Sequence, residues 1–325
     1  MRIDRRAALA ACLAMLAGLA APAQAAQAYP VKPVRILVGS PPGGGTDILA
    51  RMLAEQFGRD LGQSVVVENR PGASNTIAAD MTARADPDGH TLLVATTTGQ
   101  AIAPHLLKLK FDPLTDLQPI GMVAVMPNVL VVSASGPYRS VTELLAAMRA
   151  QPEGLRYGSS GVGSTQHVGG VAFTAATGTQ AVHVPYKGSS QAQVDMLGGQ
   201  IEMMFDTTSS AMPQIRAGKL RPLAVSAPAR IAELPDVPTL AESGVQGADV
   251  ATWYGLYATA GTPPAVVERL GAALEQVLST PQTRQRIQAL GGEIRPMSPT
   301  QFGQFNKAEF ERYGKLVASV GLAPQ

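Results

Sequence analysis

The stretch VRILVGSPPGGGTDILARMLAEQ, residues 34–56, decides how the rest of the chain is read. Its first five residues are apolar apart from one arginine, three of them β-branched, which is the pattern of a buried strand. Its last ten repeat apolar residues at Ile48, Leu49, Met52 and Leu53, which is helical spacing. Between them Pro41-Pro42-Gly43-Gly44-Gly45 makes a tight turn that delivers a helix N-terminus to the carboxyl edge of a strand. Free N–H groups approached through glycines attract an anion there. Gly39 and Gly44 have the spacing of a phosphate-binding loop, but Gly45 stands where such a loop requires lysine, which argues against a nucleoside triphosphate. Two roles stay open for Asp47: with Thr46 it is a candidate helix cap, or it meets a donor on a ligand.

Working outward, SVVVEN (64–69) and TLLVAT (91–96) are further strands, separated by helical patterns, as in strands joined by crossover helices. The rhythm restarts after Pro127. NVLVVSAS (128–135) reads as a strand, SVTELLAAMRAQ (140–151) as a helix with a Ser140/Glu143 capping box, and LRYGSS (155–160) as a strand. AVHVPY (181–186), IEMMFD (201–206) and LRPLAVSA (220–227) alternate with helices, WYGLYATAG fits a strand, and two long helices follow. The expectation is an α/β fold in two lobes, each a mainly parallel sheet flanked by helices, with the last helices returning to the first lobe. Residues 26–125 with 251–325 are assigned to lobe 1 and 126–250 to lobe 2.

The first 25 residues read as a leader. Arg2, Arg5 and Arg6 precede an apolar run from Ala7 to Leu19, and Ala23-Gln24-Ala25 fits the small-x-small rule for cleavage after Ala25, with Ala28 as the alternative. The run continues past Cys12, which argues against a lipoprotein box, and Ala7-Ala8-Leu9 lacks the context of a twin-arginine signal. Cys12 is the only cysteine, so a mature chain has neither disulfides nor thiolate chemistry. Removing the leader leaves 23 basic and 23 acidic residues. Zero net charge argues against nucleic acid or an anionic membrane as partner.

A second glycine- and hydroxyl-rich turn, YGSSGVGSTQH (157–167), occupies the matching place in the second series. Two such turns facing each other clasp a polar ligand with N–H and hydroxyl groups. A serine-hydrolase elbow fails at Ser160, which has Val162 where glycine belongs, and at Ser159, which has Tyr157 there. Ser164 and His167 lie one helical turn apart and are the residues an exported esterase would use. The four histidines show no metal-binding spacing. Asp206 closes a strand and opens a helix, as cap or ligand contact. Tyr186 and Lys187 end a strand at a lobe edge, and Trp253 and Tyr254 either line a cleft or pack where the lobes cross.

Taken in order, GSPPGGGTDILARML, NRPGASNTIAAD, PDGHTLLVAT, YGSSGVGSTQH, VHVPYKGSSQAQVDMLGGQIEMMFD, LPDVPTLAESG and WYGLYATAGTP resemble the Bug family, the extracytoplasmic receptors of tripartite tricarboxylate transporters. The resemblance runs from Tyr29 nearly to the C-terminus. It implies a periplasmic binding protein of type II-like fold whose lobes close on a small carboxylate and deliver it to membrane permease subunits, as a monomer and without cofactor, metal or catalysis. A sensory role, presenting the loaded form to a kinase, uses the same closed form. Carried over by position, Pro42, Gly43, Gly44, Thr46 and Asp47 form the first-lobe turn. Ser160, Gly163, Ser164, Thr165 and His167 form the second, with Tyr186 and Asp206 beside it. Two departures from the family's pattern, Ser74-Asn75 and Gly39-Ser40, alter the first-lobe wall and leave the ligand's identity open.

Overall fold

The computed structural model describes residues 29–319 except 152, together with 322; the expected leader lies outside the described residues. The opening stretch folds as read. Strand β1 (Val34–Val38) runs into the glycine turn, and helix α1 (Gly45–Leu61) follows, closed by Gly62 in the left-handed conformation at φ 66°. Glycine adopts that conformation without steric cost. Leu49, Leu53, Phe57 and Leu61 fall on one face of α1 and are buried. A fully buried side chain of this kind contributes about 1.5–3 kcal/mol relative to exposure.

The first lobe continues through β2 (Val65–Asn69), α2 (Thr76–Ala83) and β3 (Thr91–Thr96). A long strand, β4 (Leu117–Ser133), then leads to α3 (Val141–Ala150), β5 (Leu155–Ser159) and α4 (Thr165–Thr177). Next come β6 (Ala181–Pro185), α5 (Ser189–Leu197), β7 (Met203–Thr207), α6 (Thr208–Arg216) and β8 (Leu220–Ser226). Strand β9 (Ala251–Thr259) returns, followed by α7 (Pro264–Ser279), α8 (Pro281–Ala289) and α9 (Pro299–Ser319).

The strands run in the order β2-β1-β3-β9-β4-β7-β5-β6, with β8 also pairing β4. The two-lobed α/β reading stands, but the sheets are mixed where mainly parallel ones were expected. β2-β1-β3 and β7-β5-β6 are parallel, as crossover helices require, whereas β9 is antiparallel to β3 and β4, and β4 is antiparallel to β7 and β8. The antiparallel strands carry the chain between lobes. β4 pairs with β9 up to Pro127 and with β7 and β8 from Asn128 onward. The sequence pattern marked only the second half of this strand. Pro119, Gly121 and Pro127 break the first half's signal, and irregularities at Pro119/Gly121 and Met122/Ala124 accommodate them.

Alternation fixes the cores. Val34, Ile36 and Val38 face one side of the first sheet with α1 and α7, while Leu37 faces the other with Trp253, Phe302 and Tyr313. In the second lobe Leu130 and Val132 pack against α3 and α4, and Val129 and Val131 against α5 and α6. The C-terminal helix α9 packs back on the first-lobe core: Trp253 meets Phe302 and Phe305 edge-on, and Tyr313 donates to the Ala251 carbonyl. Among the described residues no helix is long and apolar enough to cross a membrane.

Candidate functional site

Parallel strands followed directly by helices aim helix N-termini at the sheet's carboxyl edge. Four do so here around a shared cleft, α1 from the first lobe and α4, α5 and α6 from the second. The cleft wall includes Gly44, Gly45 and Thr46 at the start of α1, Thr165 and Gln166 at α4, Gly188 and Ser189 at α5, and Thr207 ahead of α6. Ser40, Asn75, Thr96, Thr98, Ser160, Thr252 and Tyr254 complete it around a cavity of about 30 Å³. The N-cap residues of α1, α5 and α6 are Gly44, Gly188 and Thr207, and none makes a side-chain cap. First-turn N–H groups have no partner inside their own helix, so these three ends present donors and positive partial charge to the cavity. Only α4 is capped, by Ser164 Oγ accepting from the His167 N–H at 3.1 Å.

No lysine, arginine, aspartate or glutamate is among the lining residues. Both candidate carboxylates lie behind the wall. Asp47 is buried, at 4% exposure. Its oxygens accept from Gly43 N–H at 2.9 Å, Asn69 Nδ2 at 2.8 Å, and both Nε (3.1 Å) and Nη2 (2.9 Å) of Arg51. Burial pushes the Asp47 carboxyl up, but the bonds from Arg51, Gly43 and Asn69 outweigh it and hold it below the usual carboxylate range. Because Asn69 also donates to the Ser40 carbonyl at 2.9 Å, this network ties the glycine turn to the end of β2. Asp47 therefore anchors the turn; it does not line the cavity.

Asp206 is wholly buried. It accepts from Gln166 Nε2 at 2.8 Å, Gln193 Nε2 at 2.6 Å and the Thr207 N–H at 2.9 Å. Here burial prevails over the hydrogen bonds and pushes the carboxyl up to about 6. Asp206 acts through Gln166, whose Nε2 also donates to Ser189 Oγ at 2.6 Å and whose Oε1 accepts from the Ser160 N–H. One wall residue is thereby held in a single orientation by α5, β7 and the second turn.

His167 also supports the second turn from behind. Its Nδ1 accepts from the Gly163 N–H at 3.0 Å, and its ring stacks on His183 at 3.8 Å between centroids. Burial lowers His167 to about 4; burial and then the neighbouring His167 lower His183 to about 3. Both rings are neutral near pH 7. Ser164 receives the His167 backbone N–H, and His167 Nδ1 is taken by Gly163, so the two do not form the nucleophile–base pair an esterase would need.

The lobes meet across the cleft. Thr165 Oγ1 shares a hydrogen bond with Thr252 Oγ1 at 2.6 Å, Thr165 N–H donates to Thr98 Oγ1 at 3.3 Å, and Ser209 Oγ bonds Tyr254 Oη at 2.9 Å. Ser74 Oγ donates to the Val162 carbonyl. Ser74 lies in a run of three non-glycine residues at positive φ, Ala73 (43°), Ser74 (54°) and Asn75 (72°). Each such residue costs on the order of 1 kcal/mol or more, and such strain persists where surrounding contacts impose it. Here it brings Ser74 to the second lobe and Asn75 to the cavity.

Of the residues expected at the site, Gly44, Thr46, Ser160 and Thr165 line the cavity. Pro42 and Gly43 are exposed on the outer side of the turn; it is Pro41 that is buried and faces Gly188 of the other lobe. Gly163, at φ 74°, packs against Leu106, where a Cβ would come within 2.8 Å of Cδ1. Ser164 caps α4, His167 and Asp206 stand behind the wall, and Tyr186 donates to Asp195 at 2.7 Å. Gly45, Gln166, Gly188, Ser189, Thr207 and Thr252 line the site without having been singled out. The signal that finds most of them is their place at a helix start directly after a strand. Tyr254 lines the cleft, while Trp253 packs in the core.

Residues 49–322 match the sequence model of a family described as "Tripartite tricarboxylate transporter family receptor". The chain is 36% identical over 293 residues to a UPF0065 protein from the tcbD-tcbE intergenic region of a Pseudomonas species, covering 90% of this chain and 87% of that one. A solved R. palustris protein with adipate is similar at a TM-score of 0.88 and 34% identity, covering 91% of this chain and all (100%) of that chain. MatC from Rhodopseudomonas palustris with bound malate is similar at a TM-score of 0.84 and 31% identity, covering 89% and 100% respectively.

Proposed function

The chain belongs to the tripartite tricarboxylate transporter receptor family, and from that premise we propose that it captures a small organic carboxylate between its lobes and hands the closed, loaded form to membrane permease subunits. It works in the periplasm as a monomer, after cleavage of its leader near Ala25. Residues 26–125 with 251–325 form one jaw and 126–250 the other.

The observation that carries this reading is the convergence of four helix N-termini, three of them without side-chain caps, on a cavity with no charged side chain in its wall. Fixed dipoles there stabilise a carboxylate without an arginine clamp, and closure removes the water that would screen them. The relatives solved with adipate and with malate support a dicarboxylate of that size. The ligand bridges groups from both lobes, so it binds the closed form better than the open one and shifts the population accordingly. Thermal-shift and calorimetric screening of the purified chain against mono-, di- and tricarboxylates tests this. At least one stabilises the protein with one-to-one stoichiometry; no response to any of them would refute carboxylate capture.

A further inference from the structure

We infer that this receptor selects against an α-amino group, so that its ligands are plain or hydroxylated carboxylates, not amino acids. The inference rests on carboxylate capture and concerns the atom next to the carboxylate.

An ammonium group entering a water-poor cleft needs a carboxylate or a set of free carbonyl oxygens, because burying it unpaired is costly. The wall has no acidic side chain. The two acids nearest to it are already engaged. Asp47 holds Gly43, Asn69 and both donors of the Arg51 fork, and Asp206 holds Gln166, Gln193 and Thr207 with no exposed surface.

Three carbonyls of the turns already accept hydrogen bonds from the protein. That of Ser40 accepts from Asn69, that of Val162 from Ser74, and that of Gly161 from Ser159 and the Ser164 N–H. What remains at the helix starts is N–H, and the positive dipole ends that hold an anion repel a cation.

A hydroxyl group meets the opposite reception. Thr46, Thr96, Thr98, Ser189 and Tyr254 bring hydroxyls to the wall, each able to donate or accept. Ser40, a wall residue, has a buried Oγ with no hydrogen-bond partner. A ligand hydroxyl can meet such wall hydroxyls as donor or acceptor, whereas an ammonium can only donate, in a field that opposes its charge.

The test is isothermal calorimetry on the mature chain at pH 7.5 with matched pairs that differ only in hydroxyl against amine: malate and aspartate, 2-hydroxyglutarate and glutamate, lactate and alanine. The inference expects at least one hydroxy acid to bind and its amino twin to bind at least about tenfold more weakly. An amino acid that binds within tenfold of its twin, or more tightly, overturns the inference and leaves carboxylate capture standing. Silence from every member of every pair and from succinate and adipate removes carboxylate capture, and the inference with it.

Discussion

The two glycine-rich turns occupy equivalent places, strand end to helix start, yet they are built on opposite plans. The first, around Gly43 to Asp47, offers backbone. Its helix has a glycine N-cap, and its acid is turned outward to Arg51, whose side chain is 53% exposed. The second, from Ser159 to His167, is a side-chain network. Its helix is capped by Ser164, a neutral histidine pair braces it, and its acid is sealed behind Gln166. The same residue type therefore behaves oppositely in the two places: Asp47 is held below the usual carboxylate range, and Asp206 is pushed up to about 6. A carboxylate in a binding protein's cleft region is not automatically a ligand contact. What it does depends on which donors surround it and whether a cation is among them.

The largest effect that sharpens this contrast is on Asp206. Its folded value, about 6, lies above that of the unfolded chain, about 3.9. Between about pH 4 and 6 the folded state binds the extra proton, so this group's contribution falls as pH rises through that window, by on the order of 3 kcal/mol, and is level above it. Chemical denaturation at a series of pH values should show the stability difference between wild type and Asp206→Asn declining by that amount. A difference independent of pH would mean that Asp206 is not desolvated as described.

Next comes the backbone jaw. A Cβ on Gly45 would lie 2.8 Å from Tyr254 Oη and closer still to Ser209 Oγ of the other lobe. Gly45→Ala should weaken the best carboxylate by about 10–100-fold, the equivalent of the 1–3 kcal/mol typical of overpacking. The ligand-free protein should lose little stability, since the atoms that must give way are side-chain ends and alanine favours the helix. Unchanged affinity in calorimetry would show that this jaw does not close on Ser209.

Asp47→Ala should divide the two properties the other way. Loss of its charged hydrogen bonds lowers stability by about 1.5 kcal/mol, near the bottom of the range for such bonds because Arg51 is half exposed. Affinity should stay within about threefold, since RT ln 3 is well below one hydrogen bond. A large loss of affinity with little loss of stability would make Asp47 a ligand contact after all.

The smallest effect belongs to Ser74→Ala, which removes one hydrogen bond between the lobes. Stopped-flow should show ligand release faster by a few-fold to about tenfold, corresponding to 0.5–1.5 kcal/mol. An identical release rate would mean that the Ser74 bond contributes nothing to the closed form.

Much of this was legible in the sequence where the physics is local. Strand and helix periods on either side of Gly43-Gly44-Gly45, the Ser140/Glu143 cap and the repetition after Pro127 all report short-range geometry, and they gave both lobes and both turns. The first half of β4 was hidden because its prolines and glycine suppress the strand signal, while pairing with β9, far along the chain, stabilises it. Site residues were legible to within a residue or two but not in direction. Pro41 is buried against Gly188 where Pro42 was expected at the site, and Gln166 lines the cleft beside Thr165. Direction depends on partners remote in sequence: Asn69 for Asp47, and Ser189 and Asp206 for Gln166.

The most direct test of the central claim, that neutral dipoles from both lobes hold a carboxylate, is a crystal structure with the best-binding acid. We expect a carboxylate oxygen within hydrogen-bond distance of the Gly45 or Thr46 N–H, a second-lobe helix start on the ligand's other side, and no lysine or arginine in ion-pair range. A ligand carboxylate seated on a guanidinium such as Arg51, or bound outside the cleft, would contradict it.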